Sequence, residues 1–201
     1  MARVARVHWV RQVHGRTVIV VPAGDGPAPD GAGRPTPVSE GEADALVSEG
    51  PAAALAVLTA DCASIALGSP EGVFGAVHAG WRGLVEGVVE HAVEVMRERG
   101  ATEVVGALGP CIHPGCYEFS ESDLDRVAAR LGDGVRVRTD AGAAALDLPA
   151  AVAAALRRAG ADQRATPPLC TGCAGGYFSH RARGDGGRQA LVVWSTGPGT
   201  R

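Results

Sequence analysis

Three residues that commonly bind metal ions lie in short segments that end or interrupt apolar runs. His14 lies in a Gln-Val-His-Gly stretch, Cys62 in Thr-Ala-Asp-Cys, and His78 in Val-His-Ala-Gly-Trp-Arg-Gly. Imidazole and thiolate groups are preferred ligands of zinc, and three of them leave the fourth tetrahedral position open, as catalytic zinc sites require. The alternative interpretation is a buried cysteine and two hydrogen-bonded turn histidines.

Charged residues stand beside two of these candidate ligands. Asp61 directly precedes Cys62, and Arg82 follows His78 by four residues, just before an apolar helical pattern begins at Leu84. A carboxylate and a guanidinium at converging strand ends are costly to bury without a partner or a function. The sequence therefore leaves two interpretations, a structural Asp61–Arg82 ion pair or two groups that take part in chemistry.

The remaining cysteines form two motifs whose role the sequence leaves open. Cys170-Thr-Gly-Cys173 has the CxxC spacing of zinc ribbons and thiol redox sites, but the sequence contains no second CxxC. Cys111 and Cys116 flank His113 in a possible metal cluster, although the absence of a His-x-Glu element there argues against a cytidine-deaminase zinc site. An odd total of five cysteines favours metal binding or catalysis over a disulfide framework.

Composition narrows the class of protein. Of 201 residues, 46% are apolar, 4% are aromatic and 29 are glycine, which predicts a globular core of Val, Leu and Ala with many tight turns. All 19 cationic residues are arginine and the net charge is -3, so the arginines do not indicate a nucleic-acid surface. Because there is no apolar run of about 18 residues and no signal-peptide core, we expect a cytoplasmic protein that does not span a membrane.

Hydrophobic periodicity predicts interleaved strands and helices. Strands are expected at residues 4–10, 17–21, 44–47, 54–60, 64–67, 73–77, 103–108 and 190–194. The clearest helix spans residues 84–99, two more are expected at 120–131 and 148–159, and the Gly- and Pro-rich residues 22–42 are expected to form a loop. Since no linker divides the chain and the spacing is not strictly βαβ, we predict one domain over residues 1–201 with a mixed α/β (α+β) fold.

The motifs, taken in order along nearly the whole sequence, resemble those of the YfiH family. This family is also called laccase-domain or multicopper polyphenol oxidase-like, and its members are regarded as purine nucleoside phosphorylases. Besides the three ligand segments, the resemblance covers Asp44-Ala-Leu-Val47, Gly109-Pro-Cys-Ile112, Cys116-Tyr-Glu118, Leu146-Asp-Leu148, Cys170-Thr171, Phe178-Ser-His-Arg181 and Gly187-Arg-Gln189. Relative to the family, the sequence lacks an N-terminal segment of some tens of residues before the Gln-Val-His-Gly stretch.

This resemblance implies an enzyme with a zinc site formed by His14, Cys62 and His78. It implies phosphorolysis of adenosine, inosine, guanosine and methylthioadenosine, with inorganic phosphate as co-substrate, together with hydrolytic deamination of adenosine. It also implies a layered sandwich of mixed sheets with helices on the outer faces, similar to the cytotoxic necrotizing factor deamidase fold. The preferred nucleoside and the oligomeric state are left open.

The expected reactions suggest roles for the two charged residues beside the ligands. Asp61 is the candidate proton shuttle for deamination, because the reaction needs a group that accepts and donates a proton. Arg82 is the candidate phosphate clamp, because a guanidinium beside a helix N-terminus favours anions. We therefore expect Gln12 and Arg82 to bind substrate, and Asp61, Arg82 and Cys111 to be catalytic.

Three alternatives belong to other functional classes. Copper-dependent phenol oxidation would require an axial methionine, and the two methionines are Met1 and Met96, the latter on the apolar stripe of a predicted helix, so copper ranks below zinc. A cysteine-dependent amidase or dipeptide hydrolase acting on peptidoglycan precursors would use Cys62 or Cys111 as nucleophile. The last alternative is an inactive, shortened homologue that retains the metal site.

Overall fold

Two large β-sheets, a two-stranded sheet and five α-helices form the fold, which a computed structural model describes over residues 6–22, 36–50, 53–164 and 169–196. The strands are β1 (Arg6–Arg11), β2 (Val18–Val21), β3 (Thr36–Glu42), β4 (Ala45–Glu49), β5 (Ala53–Thr59), β6 (Ala63–Gly68), β7 (Val73–Ala79), β8 (Val105–Leu108), β9 (Arg136–Arg138), β10 (Ala144–Leu146), β11 (Asp162–Gln163) and β12 (Gln189–Trp194). The helices are α1 (Trp81–Glu86), α2 (Val88–Glu98), α3 (Glu121–Leu131), α4 (Leu148–Arg158) and α5 (His180–Arg183).

Both large sheets mix parallel and antiparallel strands. The four-stranded sheet has the order β12-β5-β1-β3, in which β1 runs parallel to both β3 and β5 and β12 runs antiparallel to β5. The six-stranded sheet has the order β11-β8-β6-β7-β4-β2, with parallel pairs at its two edges and antiparallel pairs between them. These sheets confirm the predicted mixed α/β class.

The six-stranded sheet lies between the helices and the four-stranded sheet. One apolar cluster joins it to helices α1 to α4 through residues such as Ile65, Leu84 and Leu156. A second cluster joins it to the four-stranded sheet through residues such as Leu55 and Phe74. Because β7 is covered on both faces, all seven of its residues are buried, and its sequence is a continuous run of apolar and small residues interrupted by one histidine.

Two predicted elements differ from the structure. The single helix expected over residues 84–99 is wrong, because Gly87 has a φ of 88° and separates α1 from α2. The loop expected over residues 22–42 is wrong for residues 36–42, which form β3, while 23–35 lie outside the described residues. Helix α3 does begin at the predicted cap, since the Ser120 hydroxyl accepts a hydrogen bond from the Asp123 N–H. None of the described helices is long and apolar enough to cross a bilayer.

Candidate metal centre

His14, Cys62 and His78 lie together in the folded chain. Each offers one donor atom, and the three donor atoms lie within 4.8 Å of one another. Cys62 Sγ is 3.9 Å from His14 Nε2, and the two imidazole rings stand edge to face with centroids 4.8 Å apart. His78 is buried, Cys62 is half-buried and His14 is exposed, so the cluster can be reached from solvent on one side.

Two loops that cross between the sheets bring His14 and Cys62 to His78. Strands β1 and β5 belong to the four-stranded sheet, whereas β2 and β6 belong to the six-stranded sheet. Both the β1–β2 loop, which holds His14, and the β5–β6 loop, which holds Cys62, therefore pass from one sheet to the other. In the six-stranded sheet Ser64 pairs with His78, which places the β5–β6 loop beside the end of β7.

The backbone around the cluster allows unusually close packing. His14 has a φ of 61° and Asp61 a φ of 93°, both in the left-handed region that residues with a side chain rarely adopt. A Cβ at Gly80 would lie 2.9 Å from His14 Cδ2 and 3.3 Å from Cys62 Sγ, so a side chain there would collide with the cluster. Glycine at this position therefore lets the chain between β7 and α1 pass directly beside two of the donors.

The completely buried carboxylate of Asp44 connects the His14 loop to His78. It accepts hydrogen bonds from the backbone N–H groups of Val13 (3.3 Å), His14 (2.9 Å) and Gly15 (2.7 Å), and from His78 Nδ1 at 2.8 Å. Because an ionised carboxylate only accepts, His78 Nδ1 carries the proton and Nε2 is left for a ligand role. Sequence reasoning missed this role, although a charged residue just before the buried strand Ala-Leu-Val was a usable signal.

The charges of the cluster favour a thiolate at Cys62. Burial opposes ionisation of this thiol, but hydrogen bonds from His14 and His78 outweigh burial and lower its pKa to about 6. Burial likewise opposes protonation of His78, yet its bonds to Asp44 and Cys62 raise its pKa to about 9. For Asp44, burial is outweighed by the His78 and backbone hydrogen bonds, and its pKa is lowered. At neutral pH the metal-free cluster therefore presents an anionic Cys62 sulfur beside a protonated His78, and a bound metal ion would displace the proton from His78 Nε2.

A cavity of about 560 Å³ opens over the three donors. Its lining adds apolar, amide and basic side chains, among them Trp9, Arg11, Gln12, Leu58, His180 and Arg188. Small-molecule sites in proteins have volumes of about 300–1,000 Å³. The donor cluster thus forms part of the wall of a site large enough for a small organic substrate.

Gln12, an expected substrate-binding residue, lines this cavity. Its Nε2 donates to the carbonyl of Leu58 at 2.7 Å, and its Oε1 accepts from the Leu58 N–H at 2.8 Å. The amide thereby pairs with the backbone of β5 as a neighbouring strand would. These two hydrogen bonds hold the cavity wall in place beside the metal donors.

Three basic side chains on the cavity wall were not among the expected site residues. They are Arg11, His180 and Arg188. Arg188 Nη1 donates to the three preceding carbonyls, at 3.1, 3.2 and 2.7 Å, and Arg11 forms an exposed ion pair with Glu42 at 2.8 Å. His180 and Arg188 both lie in the motifs shared with the family. The spacing of those motifs, however, does not show that their segments fold beside the His14 loop.

Asp61 holds the structure around the cluster. It is buried, its Oδ1 accepts from Thr171 Oγ1 at 2.7 Å, and its Oδ2 accepts from the Arg181 N–H at 2.7 Å. Its backbone carbonyl accepts from the Ile112 N–H at 2.9 Å. Asp61 is not among the residues that line the cavity. Both carboxylate oxygens therefore accept hydrogen bonds that position the Cys62 loop, and the proton-shuttle role of Asp61 stays a prediction.

Arg82 is placed differently from the expected phosphate clamp. It is exposed and stacks over the ring of Trp81, with Cζ 4.4 Å from the ring centroid. It does not line the cavity, and the Asp61 oxygens that an ion pair would use accept from Thr171 and Arg181 instead. Helix α1, which begins at Trp81, is only six residues long. The described residues therefore show no Asp61–Arg82 ion pair, and the phosphate-clamp role of Arg82 stays a prediction.

Cys111, expected to be catalytic, belongs to the apolar core. Its side chain is 1% exposed and packs in the cluster between the six-stranded sheet and the helices. Burial, with the charge of Cys170, raises its pKa to about 12. Nucleophilic cysteines need a lowered pKa and access to substrate. Cys111 therefore remains a neutral, inaccessible thiol, unlike an amidase nucleophile.

Known proteins share these motifs over almost the whole chain. The family model described as multi-copper polyphenol oxidoreductase laccase matches residues 1–196. The purine nucleoside phosphorylase SCO2081 of Streptomyces coelicolor is 42% identical over 195 residues, which cover 94% of this chain and 75% of the relative. The purine nucleoside phosphorylase Rv2149c of Mycobacterium tuberculosis is 37% identical over 192 residues, which cover 94% and 72%.

Solved structures share the fold. The Bacillus licheniformis protein YfiH superimposes with a TM-score of 0.78 at 25% identity, covering 94% of this chain and 74% of that one. YlmD from Geobacillus stearothermophilus gives a TM-score of 0.76 at 30% identity, covering 96% and 74%. The chain is similar in fold to YfiH and in sequence to the named purine nucleoside phosphorylases. The predicted family is therefore confirmed: the chain belongs to the family described as multi-copper polyphenol oxidoreductase laccase.

Proposed function

We propose that the protein is a zinc-dependent purine nucleoside phosphorylase. In this reaction an oxygen of inorganic phosphate bonds to C1′ of the nucleoside, the C1′–N9 bond breaks, and the base leaves with the bonding pair and takes up a proton. The observation that carries the proposal is one cavity whose wall joins the His14, Cys62 and His78 donors to the basic groups of His180 and Arg188. Relatives named purine nucleoside phosphorylase match 94% of the chain, which supports the same reaction class.

The donor set suits zinc. A thiolate and two imidazoles are ligands that zinc prefers, and the Asp44–His78 hydrogen bond fixes the imidazole tautomer that a ligand needs. Bound there, zinc would supply a Lewis-acidic positive charge beside the substrate. The copper alternative lacks comparable support, because Met96 is completely buried in the helix-side core and Met1 lies outside the described residues.

The cavity wall divides into a face for the nucleoside and groups for the phosphate. The indole of Trp9 and the side chain of Leu58 offer apolar surface to a purine, and Gln12 holds the β5 backbone in place beside them. Arg188 is anchored through Nη1, which leaves its guanidinium fork preorganised for the oxygens of a phosphate. We assign the phosphate contact to Arg188, assisted by His180, in place of Arg82.

Two further reactions would use the same cavity. We propose that it also accepts methylthioadenosine for phosphorolysis and adenosine for hydrolytic deamination. In deamination a water oxygen bonds to the purine C6, the C6–N6 bond breaks, and the amino group takes up a proton and leaves as ammonia. The residue placements change one expected role. Asp61 acts as a positioning residue for the Cys62 loop, since Thr171 and Arg181 occupy its two oxygens.

Comparing two arginine variants tests the proposal. Arg188→Lys keeps the charge but loses the bidentate fork, so we expect the phosphate KM for inosine phosphorolysis to rise about tenfold or more, because a hydrogen bond to a charged group contributes about 1.5 kcal/mol or more. Phosphate-independent deamination of adenosine should change little. Arg138→Lys is the matched control, because Arg138 is also exposed and bonded to a carbonyl, that of Gly142 at 2.8 Å, but lies outside the cavity lining.

The measurement is ribose 1-phosphate and free base formed from inosine with and without phosphate. No phosphate-dependent product from the zinc-loaded protein would contradict the proposed reaction. Equal phosphate KM values for Arg188→Lys and the unmodified protein would contradict the assignment of the phosphate contact alone. A phosphate KM raised in Arg82→Lys instead would return that contact to Arg82.

A further inference from the structure

A second cluster of metal-binding side chains lies outside the proposed catalytic site. Cys116, Cys170 and Cys173 each offer one sulfur, and the three sulfurs lie within 4.8 Å of one another. Cys116 ends a short 3-10 turn (Pro114–Cys116), and the other two belong to the Cys-Thr-Gly-Cys turn. Cys170 is buried, Cys116 is half-buried and Cys173 is exposed. None of the three lines the cavity of the first cluster.

The turn after Cys170 points several N–H groups at one sulfur. Cys170 Sγ accepts from the His113 N–H at 3.2 Å, and the backbone N–H groups of Gly172 and Cys173 favour its thiolate form. The sulfurs of Cys170 and Cys173 lie within 4.8 Å of each other and of Cys116 Sγ. Although burial opposes ionisation, these N–H groups lower the pKa of Cys170.

Gly172 lets the third sulfur approach this turn. A Cβ at Gly172 would lie 2.7 Å from Cys116 Cβ, 3.1 Å from Cys116 Sγ and 3.4 Å from Cys170 Sγ. Any other residue would therefore push Cys116 away from the CxxC turn. The glycine therefore lets two segments that are more than fifty residues apart in the sequence bring their three sulfurs close together.

Three sulfurs so close together cannot all ionise without a cation. A thiophilic cation makes this possible, because it binds the thiolate form and displaces the protons. Zinc binds thiolates well, and with three protein sulfurs its fourth position would be taken by solvent, to which Cys173 is exposed.

We propose that Cys116, Cys170 and Cys173 form a second zinc site, separate from the His14–Cys62–His78 cluster, which clamps the CxxC turn onto the Pro114–Cys116 turn. The clamp acts on a segment that supports the first cluster. Thr171 lies inside the CxxC turn and donates to the buried carboxylate of Asp61 at 2.7 Å. The second ion would therefore have a structural role, independent of the proposed catalytic activity.

Counting metal ions in cysteine variants tests the second site. Protein purified with a thiol reductant and zinc, then desalted, should contain about two zinc ions per chain, falling to about one in Cys62→Ser and about one in Cys173→Ser, since a hydroxyl is a poor zinc ligand. The exposed Cys173 is the least disruptive position, and each variant is the matched control for the other. The double variant should retain no stoichiometric zinc.

Cobalt substitution identifies the ligands of each ion. In Cys62→Ser the first cluster has no thiolate, so the near-ultraviolet sulfur-to-cobalt absorption that remains must come from the second site, and it should disappear when Cys116→Ser is added. Circular dichroism and the cobalt bound by the first cluster confirm that the Cys173→Ser and Cys116→Ser proteins are folded. One zinc per chain that is lost entirely in Cys62→Ser would overturn the proposal. A disulfide between any two of the three cysteines in the reduced, zinc-loaded protein would also overturn it.

Discussion

The carboxylate of Asp44 ties the His14 loop to His78, and Asp44→Asn removes that tie while keeping the shape of the side chain. Oδ1 accepts from the His14 N–H (2.9 Å) and His78 Nδ1 (2.8 Å), and Oδ2 accepts from the N–H groups of Val13 (3.3 Å) and Gly15 (2.7 Å). An amide keeps one oxygen and presents an NH₂ group in place of the other. While His78 keeps its proton on Nδ1, two of the four donors therefore face another donor whichever way the amide turns.

The expected loss follows from those two bonds. A hydrogen bond to a charged group contributes about 1.5–3 kcal/mol, so losing two at a completely buried position costs about 3–6 kcal/mol of unfolding free energy. In a domain of this size each kcal/mol lowers Tm by about 2–4 °C, which gives a fall of about 6–24 °C. The same change releases the His78 ring, and losing such an outer partner weakens metal affinity about 10- to 100-fold.

Calorimetry of the metal-free proteins and zinc competition with a chromophoric chelator measure the two effects of Asp44→Asn. Asp147→Asn is the matched control, because Asp147 accepts a single hydrogen bond from the Ala150 N–H as the N-cap of α4. Asparagine caps helices about as well as aspartate, so this control should change stability by less than about 0.5 kcal/mol. An Asp44→Asn protein with the Tm and zinc affinity of the control would refute the reasoning.

Two further substitutions test the cavity wall and the Cys62 loop. Gln12→Glu replaces the amide donor with a carboxylate that faces the Leu58 carbonyl, so the hydrogen bond between them is lost. Losing this bond of about 1 kcal/mol should raise the inosine KM about fivefold. An unchanged KM in steady-state kinetics would contradict the role of Gln12 in the cavity wall. Asp61→Ala should lower Tm by about 6–24 °C and weaken zinc binding together, because it removes the acceptors of both Thr171 and Arg181. A large loss of deamination rate with unchanged Tm and zinc affinity would instead support the proton-shuttle role.

The ligand segments could be recognised from sequence because their chemistry is local. A histidine or cysteine beside glycine or aspartate at the end of an apolar run is visible without knowing the fold, and the structure brings His14, Cys62 and His78 within 4.8 Å. The roles of their neighbours were not visible. Arg82 is four residues from His78, yet it stacks on Trp81, because side-chain direction depends on the turn into α1 and not on distance along the chain.

The two secondary-structure predictions that were wrong failed for similar reasons. The apolar period runs through Val85, Val88 and Val89, so it predicts one helix, whereas the left-handed Gly87 divides it into two without breaking the apolar face. Strand β3 is polar because it lies at the edge of the four-stranded sheet, where an edge strand needs few apolar residues. Only the pairing of β3 with β1 distinguishes this strand from the loop that its composition indicates.

The left-handed conformations of His14 and Asp61 set the direction in which this protein would change under artificial selection. Each conformation costs about 1 kcal/mol that glycine would not incur. A mutant library selected only for heat resistance would therefore be enriched in glycine at position 14, and the enriched proteins would have lost a metal donor. Position 61 would keep its aspartate, because the hydrogen bonds from Thr171 and Arg181 outweigh the backbone relief. Improving the thermal tolerance of this chain without losing its chemistry requires a selection that also reports metal binding or turnover.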